Sequence, residues 1–317
     1  MDLQIKDIVK NLGLKPAQIE GLIYLLLQGP IDNQNLIRRT GLPKSILVDF
    51  KKAIASFLAK PSSMTALNKK GQTLFRELSP QPFDWQPYWV KKYPQALEKV
   101  FEKYSDQRPK TKRNWDQFCA TKETVFERAL LLKSRGDISD RRLLFIGDAD
   151  LTSIPVAILR GAKRVFVVDI DEEVLKLIEK ISKEEKLGIE TLKYDIRKPL
   201  HSHLLNIFDV VFTDPPYTEG GIDLFLSRGI SALEPLSMSR LYFCYGQSDR
   251  ARERSLAIQK TVGKMGLLVE DKLGKFNRYF DAASIGSASA LYINSVTKET
   301  KSAIQGKFTG KIYTWER

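Results

Sequence analysis

The 317-residue chain contains two cysteines, two histidines and no long apolar run. Cys119 and Cys244 are too few for a disulfide framework and fit no metal-ligand spacing, so both are expected to be reduced thiols of a cytoplasmic protein. His201 and His203 sit together in a polar connector; a pair at that spacing with no third ligand is weak ground for a metal site, and none is expected. Apolar runs such as Leu22 to Leu27 fall far short of the ~20 residues of a membrane helix. The opening Met1, Asp2, Leu3, Gln4 lacks a basic n-region leading into an apolar stretch, so no signal peptide is expected. Charged residues make up 28% and hydrophobic residues 43%, which suits a folded chain with a sizeable core rather than a disordered one.

Acidic residues are scarce in the front part. Residues 1–120 carry 20 basic and 11 acidic side chains, whereas residues 121–317 carry 31 and 27. That front-loaded positive charge suits either a polyanion partner or simply a lysine-rich surface.

Helical periodicity dominates residues 1–78. Ile19, Ile23, Leu26 and Leu27 share one face, and Gly29 and Pro30 stop that helix. Asp32 is placed to cap a short helix over 33–40, and a third helix starts at Ser45. A turn at 61–63 and a Gly/Lys-rich wing over 67–75 complete a winged-helix-like domain. Its third helix offers Lys44, Lys51 and Lys52 but no side chain suited to bidentate base reading. A docking or homodimerisation role is therefore favoured over sequence-specific nucleic-acid binding. Three prolines, Pro80, Pro82 and Pro87, begin a linker and helical connector over 79–140, which holds a basic stretch, Arg108 to Arg113, read as a solvated connector.

From residue 141 to 317 the pattern changes to short apolar runs alternating with helical segments. Strands are expected at 143–146, 165–168, 191–194, 208–212 and 241–245, with helices at 152–160, 171–187 and 218–233. This alternation predicts an α/β fold with a doubly wound, Rossmann-like parallel sheet. Antiparallel strands near 266–270, 290–295 and 311–315 would complete it, and 274–279 is a candidate cover for the site.

Ligands of such sheets bind at the carboxyl ends of the strands. The chain places Gly147, Asp148, Asp150 and Leu151 after the first strand, Asp169 and Ile170 after the second, Asp195 and Ile196 after the third, and Asp214, Pro215, Pro216 and Tyr217 after the fourth. A carboxylate closing the second strand can accept both protons of a ribose diol, and one closing the third can accept from an adenine amino group. This is the layout of a class I methyltransferase-like domain. The first loop departs from the glycine-rich form that approaches the carboxylate of S-adenosylmethionine. Asp148 and Asp150 would repel that carboxylate and suit a sulfonium that lacks it, decarboxylated S-adenosylmethionine. Helix capping is the competing role, more readily for Asp150 than for Asp148. The tetrad Asp214 to Tyr217 points to a nitrogen nucleophile, with Tyr217 as a wall against it.

GDADLTS at 147–153, VDID at 168–171, DIRKP at 195–199 and TDPPYT at 213–218 together resemble the branched-chain polyamine synthases, the N(4)-bis(aminopropyl)spermidine synthases. Ala149 stands where that family carries an acid. The resemblance implies aminopropyl transfer from decarboxylated S-adenosylmethionine, a co-substrate and not a resident cofactor, to the secondary amine of spermidine. Asp214 is the candidate proton acceptor and Tyr217 the orienting residue, with Glu219, Asp223, Tyr245 and Asp249 as candidates for the remaining polyamine nitrogens. Methyl transfer to an amino group of RNA or DNA is the alternative, supported by the tetrad and the basic front part. No membrane association is expected.

Overall fold

The computed structural model describes residues 14–314 apart from 41, 43, 61–63, 84–92, 237, 247–251 and 281–287. Contacts divide the chain into two units, residues 1–89 with 134–140, and residues 90–133 with 141–317. The boundaries read from sequence, at 78 and 140, thus differ from the contact grouping. The segment 94–133, read as a connector, packs with the sheet-bearing unit, because its helices carry buried apolar faces of their own.

In the first unit, helices α1 (Pro16–Leu27), α2 (Asn33–Thr40) and α3 (Lys44–Ala53) surround a core containing Leu22, Ile23, Leu36, Phe50 and Phe75. Asp32 Oδ1 accepts from the Asn35 amide, at the start of α2. The stretch expected to form a wing is instead helix α4 (Lys69–Glu77). Asn68 caps it by accepting from the Gly71 amide at 2.8 Å, and Phe75 anchors it in the core. Ribbon-like pairing in this unit joins β1 (Ile31–Asp32) to β2 (Met64–Thr65), and an antiparallel bridge joins Leu58 to Leu67, with the Ala59 amide donating to the Ala66 carbonyl at 2.9 Å. The expected turn at 61–63 lies outside the described residues. Lys15 closes the unit through an ion pair to buried Asp137 at 2.7 Å.

The second unit is built on a seven-stranded sheet of order β5-β4-β3-β6-β7-β9-β8. Its strands are β3 (Arg142–Ile146), β4 (Arg164–Asp169), β5 (Ile189–Lys193), β6 (Val210–Thr213), β7 (Arg240–Gly246), β8 (Leu268–Arg278) and β9 (Ala288–Ser295). The first five are parallel, and β9 and β8 extend the edge antiparallel. Apolar side chains from β3, β4, β6 and β7 are buried throughout, as a sheet covered on both faces requires. Helices α5 (Gln95–Tyr104), α6 (Lys122–Ser134), α7 (Ser153–Ile158), α8 (Glu172–Glu184), α9 (Glu219–Ala232) and α10 (Arg252–Lys264) complete the unit. Residues 311–314 form no strand; Ile312 and Tyr313 instead bury their side chains in the core. The chain leaves β3 toward β4 on one side and returns to β6 on the other. That reversal opens a crevice at the carboxyl ends of these strands.

Candidate active site

The crevice holds a cavity of about 590 Å³. Of the residues singled out from sequence, Gly147, Asp148, Asp150, Asp169, Ile170, Asp195, Ile196, Asp214, Pro215 and Tyr217 line it. Leu151 does not. It is buried with φ at +62°, an unusual conformation for a branched side chain, and turns the first loop. Glu219, Asp223 and Tyr245 lie outside the lining; Tyr245 packs behind Tyr217 with ring centroids 5.2 Å apart. Asp249 falls outside the described residues. His201 and His203 are exposed and stacked on one another.

Of the two first-loop carboxylates, it is Asp148 and not Asp150 that caps the following helix. Asp148 is the helix cap: its oxygens accept from the Thr152 amide at 2.7 Å and the Ser153 amide at 3.1 Å. Burial pushes its carboxyl up to about 7 despite those donors. Asp150 accepts from the Ala120 amide at 2.7 Å and pairs with Arg128 at 2.8 Å. Its charge is therefore balanced by the protein, and the repulsion expected from a pair of free carboxylates is reduced.

Asp169 closes β4 and accepts from the amides of Asp148 and Asp171, both at 2.8 Å. Burial raises its carboxyl above the usual range. Asp171 faces the other way: it caps α8 through the Glu173 amide and receives Lys112 Nζ at 2.6 Å and Gln117 at 3.0 Å. Asp195 accepts from the Arg197 amide at 3.0 Å.

At the tetrad, Tyr217 donates to Asp214 Oδ1 at 3.0 Å, while Asp214 Oδ2 receives Tyr279 at 2.6 Å and Arg128 at 2.7 Å. Burial raises the Asp214 carboxyl, opposed chiefly by the Arg128 charge. The Tyr217 and Tyr279 hydroxyls are pushed up by burial and by the carboxylate they face. Cys244, fully buried beside this group, is pushed up as well.

Sequence reasoning misses Arg128 and the part that the 108–118 loop plays in the site, and it places Tyr279 only as the end of a candidate cover, not as a partner of Asp214. Arg128 left one signal: a charge on a helix face shared with Val125, Ala129 and Leu132, all buried. Tyr279 follows β8, since the candidate cover 274–279 is strand through Arg278. The basic stretch is no solvated connector. Arg108 donates to the Asp150 carbonyl at 3.0 Å, Lys112 holds Asp171, and Asp116 accepts from the Thr314 amide at 2.7 Å. Trp115, Asp116, Gln117 and Phe118 line the cavity together with Tyr313. Arg108 and Lys112 thus serve acidic groups of the same chain, and a count of charge along the sequence cannot distinguish the two uses.

Residues 95–316 match the model of the branched-chain polyamine synthase A C-terminal domain. The chain belongs to the branched-chain polyamine synthase family. It is 42% identical over 211 residues to an uncharacterized protein of Methanocaldococcus jannaschii, covering 67% of this chain and 52% of the relative. It is 33% identical over 187 residues to the N(4)-bis(aminopropyl)spermidine synthase of Thermococcus kodakarensis, covering 58% and 52%. The alignments thus span about half the length of these curated relatives. The fold matches the branched-chain polyamine synthase of Thermus thermophilus, solved with N4-aminopropylspermidine and 5′-methylthioadenosine, at a TM-score of 0.64. That match covers 93% of this chain and 91% of the other at 21% identity. A putative RNA methyltransferase of Pyrococcus horikoshii matches at a TM-score of 0.50 and 18% identity, covering 64% and 100%.

Proposed function

We propose that this chain transfers an aminopropyl group from decarboxylated S-adenosylmethionine to the secondary amine of spermidine, making a branched polyamine. The observation that carries the reading is a cavity lined by five strand-end aspartates, in a chain of the branched-chain polyamine synthase family. Carboxylates and aromatic walls are what a sulfonium nucleoside and a polycationic amine both require.

In this reading Asp169 receives the ribose hydroxyls and Asp195 the adenine amino group, with Ile170 and Ile196 beside the nucleoside. Gly147, at φ +72°, lets the backbone turn beneath it, and Asp148 contributes negative potential near the propyl arm. Asp150 and Leu151 shape the loop. The acceptor nitrogen lies against Tyr217 and the Pro215 carbonyl. Its lone pair must be free, yet an aliphatic ammonium has a pKa of about 10. Asp214 takes the proton. The lone pair then forms the N–C bond as the C–S bond breaks, and sulfur leaves in neutral 5′-methylthioadenosine. The sulfonium is already activated, so the protein mainly positions and desolvates.

The first unit supports homodimer formation in this reading, and the reduced thiols fit the cytoplasm. Among the described residues no helix is long and apolar enough to cross a membrane. Incubation with spermidine and each sulfonium in turn, followed by mass measurement, tests the activity. A product heavier by one or two aminopropyl groups is expected; methyl addition from S-adenosylmethionine would overturn it.

A further inference from the structure

Arg128 has a side chain 1% exposed, yet every N–H it carries has a partner. Its Nε donates to Asn277 Oδ1 at 2.8 Å. Nη1 donates to Asp150 Oδ2 at 2.8 Å and Thr152 Oγ1 at 3.3 Å, and Nη2 to Asp214 Oδ2 at 2.7 Å and the Tyr279 hydroxyl at 3.3 Å. These five contacts match the five donors of a guanidinium. The Phe212 ring lies 5.3 Å from Cζ and fixes its plane. Asn277 is itself held by donating to Ser289 Oγ at 2.9 Å, and Ser289 reaches Tyr279 at 2.8 Å. Nothing in this group is left to rotate.

The consequence falls on Asp214, whose two oxygens are not equivalent. Oδ2 is occupied by Arg128 and Tyr279. Oδ1 receives the Tyr217 hydroxyl and neither Arg128 nor Tyr279, while the buried Cys244 thiol also reaches the carboxyl group. We propose that Arg128 is a positioning residue that anchors Asp214 through Oδ2, shares its charge between Asp214 and the first-loop Asp150, and so assigns Oδ1 as the oxygen that meets the acceptor amine. This deepens the aminopropyl-transfer reading and rests on it for the identity of the amine. Lysine cannot replace the fork, because its three donors radiate from one point.

The groups facing Asp214 from the surrounding elements are Arg128 on α6, Asp150 on the first loop, Tyr217 on its own turn, Tyr279 after β8 and Cys244 on β7. Divided anchoring makes opposite predictions for two near-isosteric changes. Asp150→Asn frees Arg128 for Asp214 alone and favours its carboxylate. Tyr279→Phe removes a donor to Oδ2 and disfavours it.

The test is infrared titration of the Asp214 carboxyl in the full chain, assigned by difference against Asp214→Asn, together with the pH profile of turnover. The Asp214 midpoint and the acid limb of turnover should move down in Asp150→Asn and up in Tyr279→Phe, by about one unit. Arg128→Lys should lower kcat about tenfold or more with the nucleoside Kd little changed. If Arg128→Lys does not fold, the two milder variants still decide. Midpoints that stay in place in both, or Arg128→Lys turning over like the parent chain, would overturn the proposal. If the parent chain transfers no aminopropyl group, the functional reading fails, while the infrared midpoints still judge the anchoring.

Discussion

Tyr217 donates to Asp214 across the two prolines of one turn, at 3.0 Å, so acceptor wall and proton acceptor are fixed to each other by four consecutive residues. If Asp214 takes the proton, Asp214→Asn keeps the turn and removes the base. Turnover should fall about 10²–10⁴-fold, the range for a positioned acid–base group. Nucleoside affinity should change little, and alkaline pH should partly restore the rate as free amine accumulates. Near-parental activity from neutral to strongly alkaline pH would leave the tetrad a purely positional role.

Decarboxylated S-adenosylmethionine and 5′-methylthioadenosine should bind far better than S-adenosylmethionine. Arg128 shares one positive charge between Asp150 and Asp214, so the strand-end acids keep a net negative charge, and this discrimination draws on it. Calorimetry with the three nucleosides measures it, and equal or tighter binding of the carboxylated sulfonium would end the aminopropyl reading.

Asp148 makes the unliganded protein pH-sensitive. Its carboxyl is raised to about 7 when folded, against about 4 when unfolded. Between those values the folded chain binds more protons than the unfolded one, so this group's contribution is full below about 4 and is lost as pH rises through 7. The loss is at most about 1.4 kcal/mol per pH unit. Thermal melting across that window should show a shallower slope for Asp148→Asn than for the parent; identical slopes would place the proton elsewhere.

A chain beginning at residue 90 should retain nucleoside binding if it folds, since every lining residue lies between 113 and 314. Loss of binding by a well-folded truncation, judged by circular dichroism and calorimetry, would give the first unit a share in the site.

Strand-end chemistry was legible because it is local. Asp169, Asp195 and Asp214 each follow an apolar run, and the parallel sheet brings such ends together whatever the details between them. Arg128 and the role of Tyr279 are hidden for the opposite reason: their meaning comes from Asp214, which lies 86 and 65 positions away from them in the chain. The wing at 67–75 was misjudged because Gly71 suggests a turn, whereas the Asn68 cap uses that glycine's amide to start a helix. At Gly71 an added Cβ would lie 2.4 Å from the Phe57 carbonyl oxygen, so close backbone approach accounts for the glycine. Capping by Asp148 rather than Asp150 turns on which acid meets the short helix, a matter of backbone direction at Leu151, whose φ is +62°.

The cavity is closed by bonds that span long stretches of chain: 149 positions from Arg128 to Asn277, and 198 from Asp116 to Thr314. Each closure must overcome the entropy of a long loop before it contributes anything, and distant pairings slow folding. The parallel pairings close shorter stretches, 22 positions from Arg142 to Arg164 and 67 from Leu143 to Val210. The expected order in refolding is sheet before pocket, measured by far-ultraviolet circular dichroism against recovery of 5′-methylthioadenosine binding.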